Sequence, residues 1–182
     1  PFFIFIVGVS IVLSKKNKGT TSSKKGIILR SIKIFFLGIF LGAFTETMYY
    51  FMSTGGIPSL SDIRIPGVLQ RIAIVYLTCA IMYDYTNWIQ QLIIMLSILI
   101  LYYACMQFIP VPGIGPGVLE PGKNLAAYID SILIPGSMWE GTWDPEGILS
   151  TFPAIASGIG GMLAGYVLTT KKTIERKVII LY

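Results

Sequence analysis

Trp88 to Ile109 reads WIQQLIIMLSILILYYACMQFI, 22 residues without a single charge. As a helix it would rise about 33 Å at 1.5 Å per residue, enough to cross the ~30 Å hydrocarbon core of a bilayer. A soluble helix of this length would carry a polar stripe, and none is present. Outward from it, Gly26 to Met48 and Ile148 to Thr169 are comparable runs, Gly67 to Tyr83 is a shorter one, and Phe2 to Ser14 is about 13 residues long. A further apolar run begins near Val178. The pattern predicts an all-α polytopic membrane helix bundle with about five to six spans.

The charges between the runs orient them. Lys15, Lys16, Lys18, Lys24, Lys25, Arg30 and Lys33 cluster between the first two runs, and Lys171, Lys172, Arg176 and Lys177 follow the fifth. The longest loop, Pro110 to Gly147, carries Glu120, Asp130, Glu140, Asp144 and Glu146 against one Lys123. The positive-inside rule places the basic loops in the cytoplasm and loop 110–147 outside it, facing a lumen or periplasm. Parity then puts the Asp84–Asn87 turn inside, although it carries no Lys or Arg. Within the loop, NLAAYIDSIL (Asn124 to Leu133) has apolar residues at Leu125, Tyr128, Ile129, Ile132 and Leu133, which predicts an interfacial helix capped by Asn124. Gly38 with Gly42, and Gly161 with Gly165, have the spacing that lets helices approach closely.

Composition excludes several functions. Only 13% of the 182 residues are charged, 54% are hydrophobic, and mean hydropathy is +0.73. The net charge of +5 does not indicate nucleic acid, because the basic residues flank apolar spans. They are expected to meet anionic lipid. Histidine is absent, so these residues supply no His base and no His metal ligand. Cys79 and Cys105 fall inside apolar runs towards opposite membrane faces, which argues for packing and against a disulfide or a metal site. The chain begins at Pro1 and stops at Tyr182 inside an apolar run. It reads as one transmembrane domain, residues 1–182, truncated at both ends.

Chemistry gathers in a few places. Arg71 lies about one turn into the third run, where an unpaired charge is costly. It reads either as an ion-paired lock between helices or as a donor facing a cavity that holds an anion or a carbonyl; Gln70 would orient whatever it binds. Arg64 reads as half of an outer ion pair with Asp62, and Glu46 as a partner for Arg71 or Arg64. In WEGTWDPEG (Trp139 to Gly147), Asp144 has the position of an N-cap, with Pro145 and Glu146 in the first turn. Glu146 could take up a proton or hydrogen-bond a sugar amine. Trp139 and Trp143 are either membrane-belt anchors or a platform for a sugar ring. Lys16, Arg30 and Lys33 act either as topology signals alone or as a clamp for a phosphorylated ligand.

RIPGVLQRIAIVY (Arg64 to Tyr76) and WDPEGILSTFPAIASGIGGMLAG (Trp143 to Gly165) resemble two signatures of the heparan-α-glucosaminide N-acetyltransferase family. PFFIFIVGVSI (Pro1 to Ile11), FIPVPG (Phe108 to Gly113) and GVLEPGKNLAAYID (Gly117 to Asp130) fit it too, in the same order, and the versions here are most similar to bacterial members. The resemblance implies a transmembrane acyltransferase of roughly 11 spans that moves an acetyl group from cytoplasmic acetyl-CoA, its cosubstrate, to an amino sugar on the far side. Arg64, Gln70 and Arg71 match one motif, Asp144, Pro145 and Glu146 the other, and Arg30 matches a basic residue at the inner start of the second span. The family's catalytic His would precede Pro1, which implies that this stretch alone is inactive. The implied roles are catalytic for Glu146, Arg71 and Gln70, acceptor-binding for Asp144, Trp143, Trp139 and Arg64, and CoA-binding for Arg30, Lys33 and Lys16, with no metal. The expected partners are membrane lipid, an amino-sugar or oligosaccharide acceptor and, as an option, a second copy of the chain. The alternative reading of the same residues is an amino-sugar permease without acyl transfer.

Overall fold

The computed structural model describes residues 2–18, 24–56, 59, 63–139 and 141–170. Six helices follow one another: α1 (Phe2–Lys18), α2 (Lys24–Thr54), α3 (Val68–Tyr85), α4 (Trp88–Phe108), α5 (Leu125–Leu133) and α6 (Ile148–Leu168). Among the described residues there is no strand, and two isolated bridges, Arg64 to Gly136 and Val111 to Gly115, tie loops together. The run from Val178, the basic cluster Lys171–Lys177, Asp62, Glu140 and the side chain of Lys18 lie outside the described residues.

Helix α6 is the axis. Helices α1, α3 and α4 pack around it, α5 lies across its start, and α2 joins the bundle through α3. Its sequence explains the position: the buried face is Ala154, Ala156, Gly158, Ile159, Gly161, Met162, Ala164 and Gly165, small enough for neighbours to come close. A Cβ on Gly8 of α1 would overlap the carbonyl oxygen of Gly158, and one on Gly161 would overlap that of Phe5. Gly165 packs on Val12, and Gly158 on Val75 and Cys79. Of the predicted pair on α2, Gly38 is pressed against Leu69 and Gln70, whereas Gly42 has ordinary clearance.

Helices α2, α4 and α6 are each long and apolar enough to cross a membrane. Helices α1 and α3 have 17 and 18 residues, slightly less than the ~20 of a full span, yet both run against α6 and each other. The outward faces of α2 and α4 carry exposed Phe36, Phe40, Phe44, Ile93, Ile100 and Leu101, as contact with lipid or with further apolar helices requires.

Two details depart from expectation. The buried face of α5 is Leu125, Ala127 and Asp130, while Ile132 and Leu133 stay exposed; a carboxylate, not an aliphatic residue, anchors this helix. Asp144 does not cap α6, which begins after Gly147 and has no cap from its own N-cap side chain. Asn124 caps α5 as predicted, accepting from the Ala127 N–H at 2.9 Å. Asn87 and Gln90 form a capping box at α4 that the sequence reading passed over.

The α3–α4 turn sits at the same end as the basic stretch, in accord with parity. Lys15 pairs with Asp84 and lies 5.0 Å from the centre of the Tyr83 ring, and Lys24 donates to the Tyr85 hydroxyl. Tyr83 stacks on Tyr166, whose hydroxyl accepts from buried Gln91 at 3.3 Å.

The glycine contacts give the first prediction. Gly8→Ala and Gly161→Ala should each lower stability by about 1–3 kcal/mol, because the clash is with backbone that cannot yield. Gly26→Ala, whose Cβ meets nothing, should leave stability unchanged or raise it slightly. Thermal unfolding of the detergent-solubilised protein reads all three, and equal midpoints would refute the close α1–α6 approach.

Candidate functional site

The chain around the second signature is short of local hydrogen bonds. Pro145 has no N–H, and the first N–H groups of α6 need acceptors. Asp144 closes a turn, accepting from the Glu146 N–H at 2.9 Å on its side chain and from the Gly147 N–H at 3.1 Å on its carbonyl. The α6 N-terminus is instead capped from another helix: Asp130 of α5 accepts from the Ile148 N–H at 2.8 Å. A Cβ on Gly147 would overlap the Asp130 carboxylate, so only glycine allows this cap. Asp130 is 1% exposed. Burial raises its pKa above the ordinary carboxylate value, opposed by the Ile148 N–H and the Arg71 charge.

Across this turn lies the segment that precedes α3. Arg64 grips Asp144 with two hydrogen bonds of 2.6 Å, from Nε and Nη2, and also pairs with Glu146. Its main-chain N–H donates to Glu46 of α2 at 2.9 Å, and its guanidinium lies 5.0 Å from the centre of the Trp139 ring. Asp144 is 4% exposed, and the Arg64 fork and the Glu146 N–H occupy its two oxygens. Burial pushes its pKa up, but the Arg64 fork, the Glu146 N–H and the Arg64 charge together outweigh this and leave it below the ordinary value. The hydrogen bonds to Asp144 hold the Arg64 pKa above its own ordinary value despite burial.

Among the described residues Arg71 has no carboxylate in direct contact. Its Nη2 donates to the Pro145 carbonyl at 2.6 Å and to Ser150, while the charges of Glu146, Asp144 and Asp130 lie nearby. Its Nε–H is buried without a partner. Arg71 borders a cavity of about 390 Å³ with Gln70 and Glu146; the other walls are apolar, among them Phe35, Ile74 and Phe152. Gln70 is buried and donates to the Ile65 carbonyl at 2.8 Å, which fixes the bend into α3.

The structure therefore brings Arg64, Gln70, Arg71, Trp139, Asp144 and Glu146 together at one end of the bundle. Trp143 stands beside Gly122 of the long loop and borders neither this cavity nor its neighbour. Lys16, Arg30 and Lys33 are exposed towards the opposite end. Lys16 donates to the Thr169 carbonyl at the end of α6, and Arg30 rests on Tyr76, 3.4 Å from its hydroxyl. The expected pair of Arg64 with Asp62 lies outside the described residues; within them Arg64 holds Asp144 and Glu146, and Glu46 meets the Arg64 main chain and not an arginine side chain. Sequence reasoning missed Asp130, Ser150 and the Pro145 carbonyl; an acid among the small residues of an otherwise apolar amphipathic helix was the available signal for Asp130. Among the described residues no group of three or more His, Cys, Asp or Glu is arranged to hold a metal.

No protein-family model matches the chain. Two curated proteins do, both named heparan-alpha-glucosaminide N-acetyltransferase. The one from Mus musculus is 29% identical over 94% of this chain and 33% of its own length. The one from Homo sapiens is 28% identical over 99% of this chain and 34% of its own length. The chain is similar to these acetyltransferases along nearly its whole length. It spans about a third of theirs. The apolar bundle marks this as an integral membrane protein, and its similarity is to proteins named as acetyltransferases.

The ion pair yields a pH-dependent prediction. Asp144→Asn should cost about 3 kcal/mol at neutral pH, the lower end for a broken buried pair because Glu146 still reaches Arg64. Asp144 has a depressed pKa, so its contribution is complete above the ordinary value near pH 4 and is lost as pH falls through the depressed one. The stability gap between wild type and variant should close in acid. A gap unchanged down to the lowest pH tolerated would show that Asp144 is not held as the carboxylate.

Proposed function

We propose that the full-length protein is a transmembrane acyltransferase of a bacterial inner membrane. It moves an acetyl group from cytoplasmic acetyl-CoA to an amino sugar on the periplasmic side, where loop 110–147 lies. One observation carries the reading: Arg71, with Gln70 and Glu146, borders an otherwise apolar cavity of about 390 Å³. A guanidinium at such a wall is suited to donate to the carbonyl oxygen of an acyl thioester. The apolar walls exclude water from the thioester, and Arg71 is placed to stabilise the oxyanion that forms when an amine attacks.

In that reaction the amine nitrogen bonds to the carbonyl carbon, the carbon–sulfur bond breaks, the CoA thiol leaves, and a base takes the amine proton. The family resemblance assigns the base to a His outside this chain. Glu146, held by Arg64 at the cavity wall, is suited to orient that base or the amine, and Asp144 to position Arg64. Lys16 and Arg30 rest on neutral oxygens, so their charges remain available to phosphates at the other end. From Arg71 to Asp84, α3 rises about 20 Å, the distance over which the donor's acyl end would be carried.

The test is calorimetry of acetyl-CoA with the full-length protein in detergent. Saturable binding, weakened when the 3′-phosphate of CoA is removed, is the expected result. Glu146→Gln should abolish acetyl transfer while leaving expression and donor binding intact. Failure of the folded protein to bind acetyl-CoA would overturn the reading in favour of an amino-sugar permease, and retained transfer in the variant would remove Glu146 from the mechanism.

A further inference from the structure

A second cavity, of about 580 Å³, shares Pro66, Gly67 and Gln70 with the first and is lined by α2 and the start of α3. Its lining changes along α2. Gly38 and Leu41, with Leu69 of α3, form one end; Thr45 and Glu46, with Arg64 and Trp139 from the loops, form the other. From Gly38 to Glu46 the cavity follows α2 for about 12 Å. This stretch also has a depth in the membrane. Phe36, Phe40 and Phe44 are exposed on α2, as contact with lipid requires, and exposed Tyr49 and Tyr50 follow where an aromatic belt belongs. Glu46 therefore stands at the boundary between hydrocarbon and headgroups, and the cavity descends from that boundary into the hydrocarbon layer.

The boundary end carries an acid without a cationic partner. Glu46 accepts the Arg64 main-chain N–H at 2.9 Å, and among the described residues it forms no ion pair. A carboxylate can accept about four hydrogen bonds, so capacity remains for a further donor. Around it, Glu46, Asp130, Asp144 and Glu146 outnumber Arg64 and Arg71 among the described residues. This excess repels an anionic headgroup and attracts a cation. Trp139 is 61% exposed beside it, with the Arg64 guanidinium over its ring; an indole at this level is an anchor among lipid headgroups. A cation-attracting end at the headgroup level, with apolar walls beneath it, fits a molecule built in the same order: a primary ammonium above, acyl chains below.

We infer that this second cavity binds a phospholipid with an ethanolamine headgroup, drawn from the leaflet on the side of loop 110–147. Its ammonium sits on Glu46, its phosphate remains in the headgroup layer with water, and the first part of an acyl chain lies along Gly38, Leu41 and Leu69. The lipid is a bound component and not a substrate, so the inference is independent of the acyltransfer reading. A primary ammonium brings three N–H donors to Glu46, whereas a choline headgroup brings none. A glycerol or serine headgroup carries net negative charge into an excess of acids. Gly42 keeps the groove open: a Cβ there would meet only the Arg64 carbonyl, at 3.8 Å.

The test is lipid retention by the purified full-length protein. Native mass spectrometry reads it after exchange into detergent with equal amounts of phospholipids that carry ethanolamine, choline or glycerol headgroups on identical chains. The ethanolamine lipid should be retained over each of the others by roughly tenfold or more, and it should raise the thermal unfolding midpoint. Glu46→Gln should erase that preference and leave the midpoint without lipid unchanged. Gly42→Leu, which fills the groove and favours the helix, should release the ethanolamine lipid, and it decides the matter should Glu46→Gln not fold. Glycerophosphoethanolamine, the same head without chains, should not displace the lipid. Equal retention of the three lipids, preference for the glycerol lipid, a preference that survives Glu46→Gln, or unchanged retention in Gly42→Leu overturns the inference. Displacement by the chainless head overturns it in favour of a water-soluble amine, and a folded protein that retains no lipid overturns it in favour of a groove covered by further protein. Acetyl-CoA binding judges the acyltransfer reading separately in every case.

Discussion

The double hydrogen bond from Arg64 to Asp144 joins two parts of the chain 80 residues apart. The segment before α3 and the turn before α6 have no regular structure of their own to hold them. Arg64 locks them with a planar fork that matches a carboxylate, and burial of the pair strengthens the match. Everything else at this end is placed relative to that lock. Glu146 is drawn in by the same guanidinium, Glu46 is fixed by the Arg64 main-chain N–H, and Trp139 is covered by the Arg64 face. The turn that Asp144 closes also presents the Pro145 carbonyl to Arg71. Replacement of Arg64 by lysine would keep the charge and lose the fork, so it would not be conservative here.

A second constraint lies beneath the first. The N-terminus of α6 presents N–H groups, and the carboxylate that receives them comes from α5, not from the adjoining chain. This ties the loop helix to the central helix and explains why Gly147 closes the DPEG sequence: a side chain there would displace Asp130. The arrangement places a buried acid, a helix dipole and the Arg71 guanidinium close together, each compensating part of another's desolvation cost. The polar cluster is therefore stable as a set, and among the described residues one member, the Arg71 Nε–H, is buried without a partner.

The fold was legible in the sequence because membrane helices are specified by composition. An uncharged run such as Trp88–Ile109 has few alternatives once the bilayer requires every backbone hydrogen bond to be internal. The Gly161 and Gly165 spacing likewise predicted a close helix contact, although not that α1 would supply the partner. The site was legible as an inventory and not as a wiring. Arg64, Arg71, Asp144 and Glu146 stood out because charges near spans are rare, but which acid meets which arginine depends on how α3 and α6 approach, and no local pattern encodes that. Asp144 looked like an N-cap by position, yet its oxygens are filled by a residue far away in sequence. Asp130 was hidden for the opposite reason, since it sits in an amphipathic helix whose apolar residues suggested a different buried face.

The two ends of the bundle differ in a way that bears on direction. At the basic end, Lys15 is neutralised by Asp84, while Lys16, Lys24 and Arg30 rest on neutral oxygens and keep their charge. At the other end, among the described residues, Glu46, Asp130, Asp144 and Glu146 outnumber Arg64 and Arg71. Between the ends lies a core of Val12, Val75, Cys79, Ile159 and Met162 with little polarity. Such a molecule attracts anions at one end and cations at the other, and it offers neither an equally favourable place in the middle. An anionic carrier that brings an uncharged acyl group suits this field, because its charge can stay at the basic end while only the apolar part advances. An amine acceptor suits the far end for the same electrostatic reason. Under the proposed acyl transfer, the amine would lose its charge on acetylation, which would weaken the hold of the acidic end on it. The charge asymmetry of the chain thus matches acyl transfer across the bundle better than passage of a cationic sugar through it, since a cation leaving the acidic end would have to cross the apolar core towards uncompensated lysines.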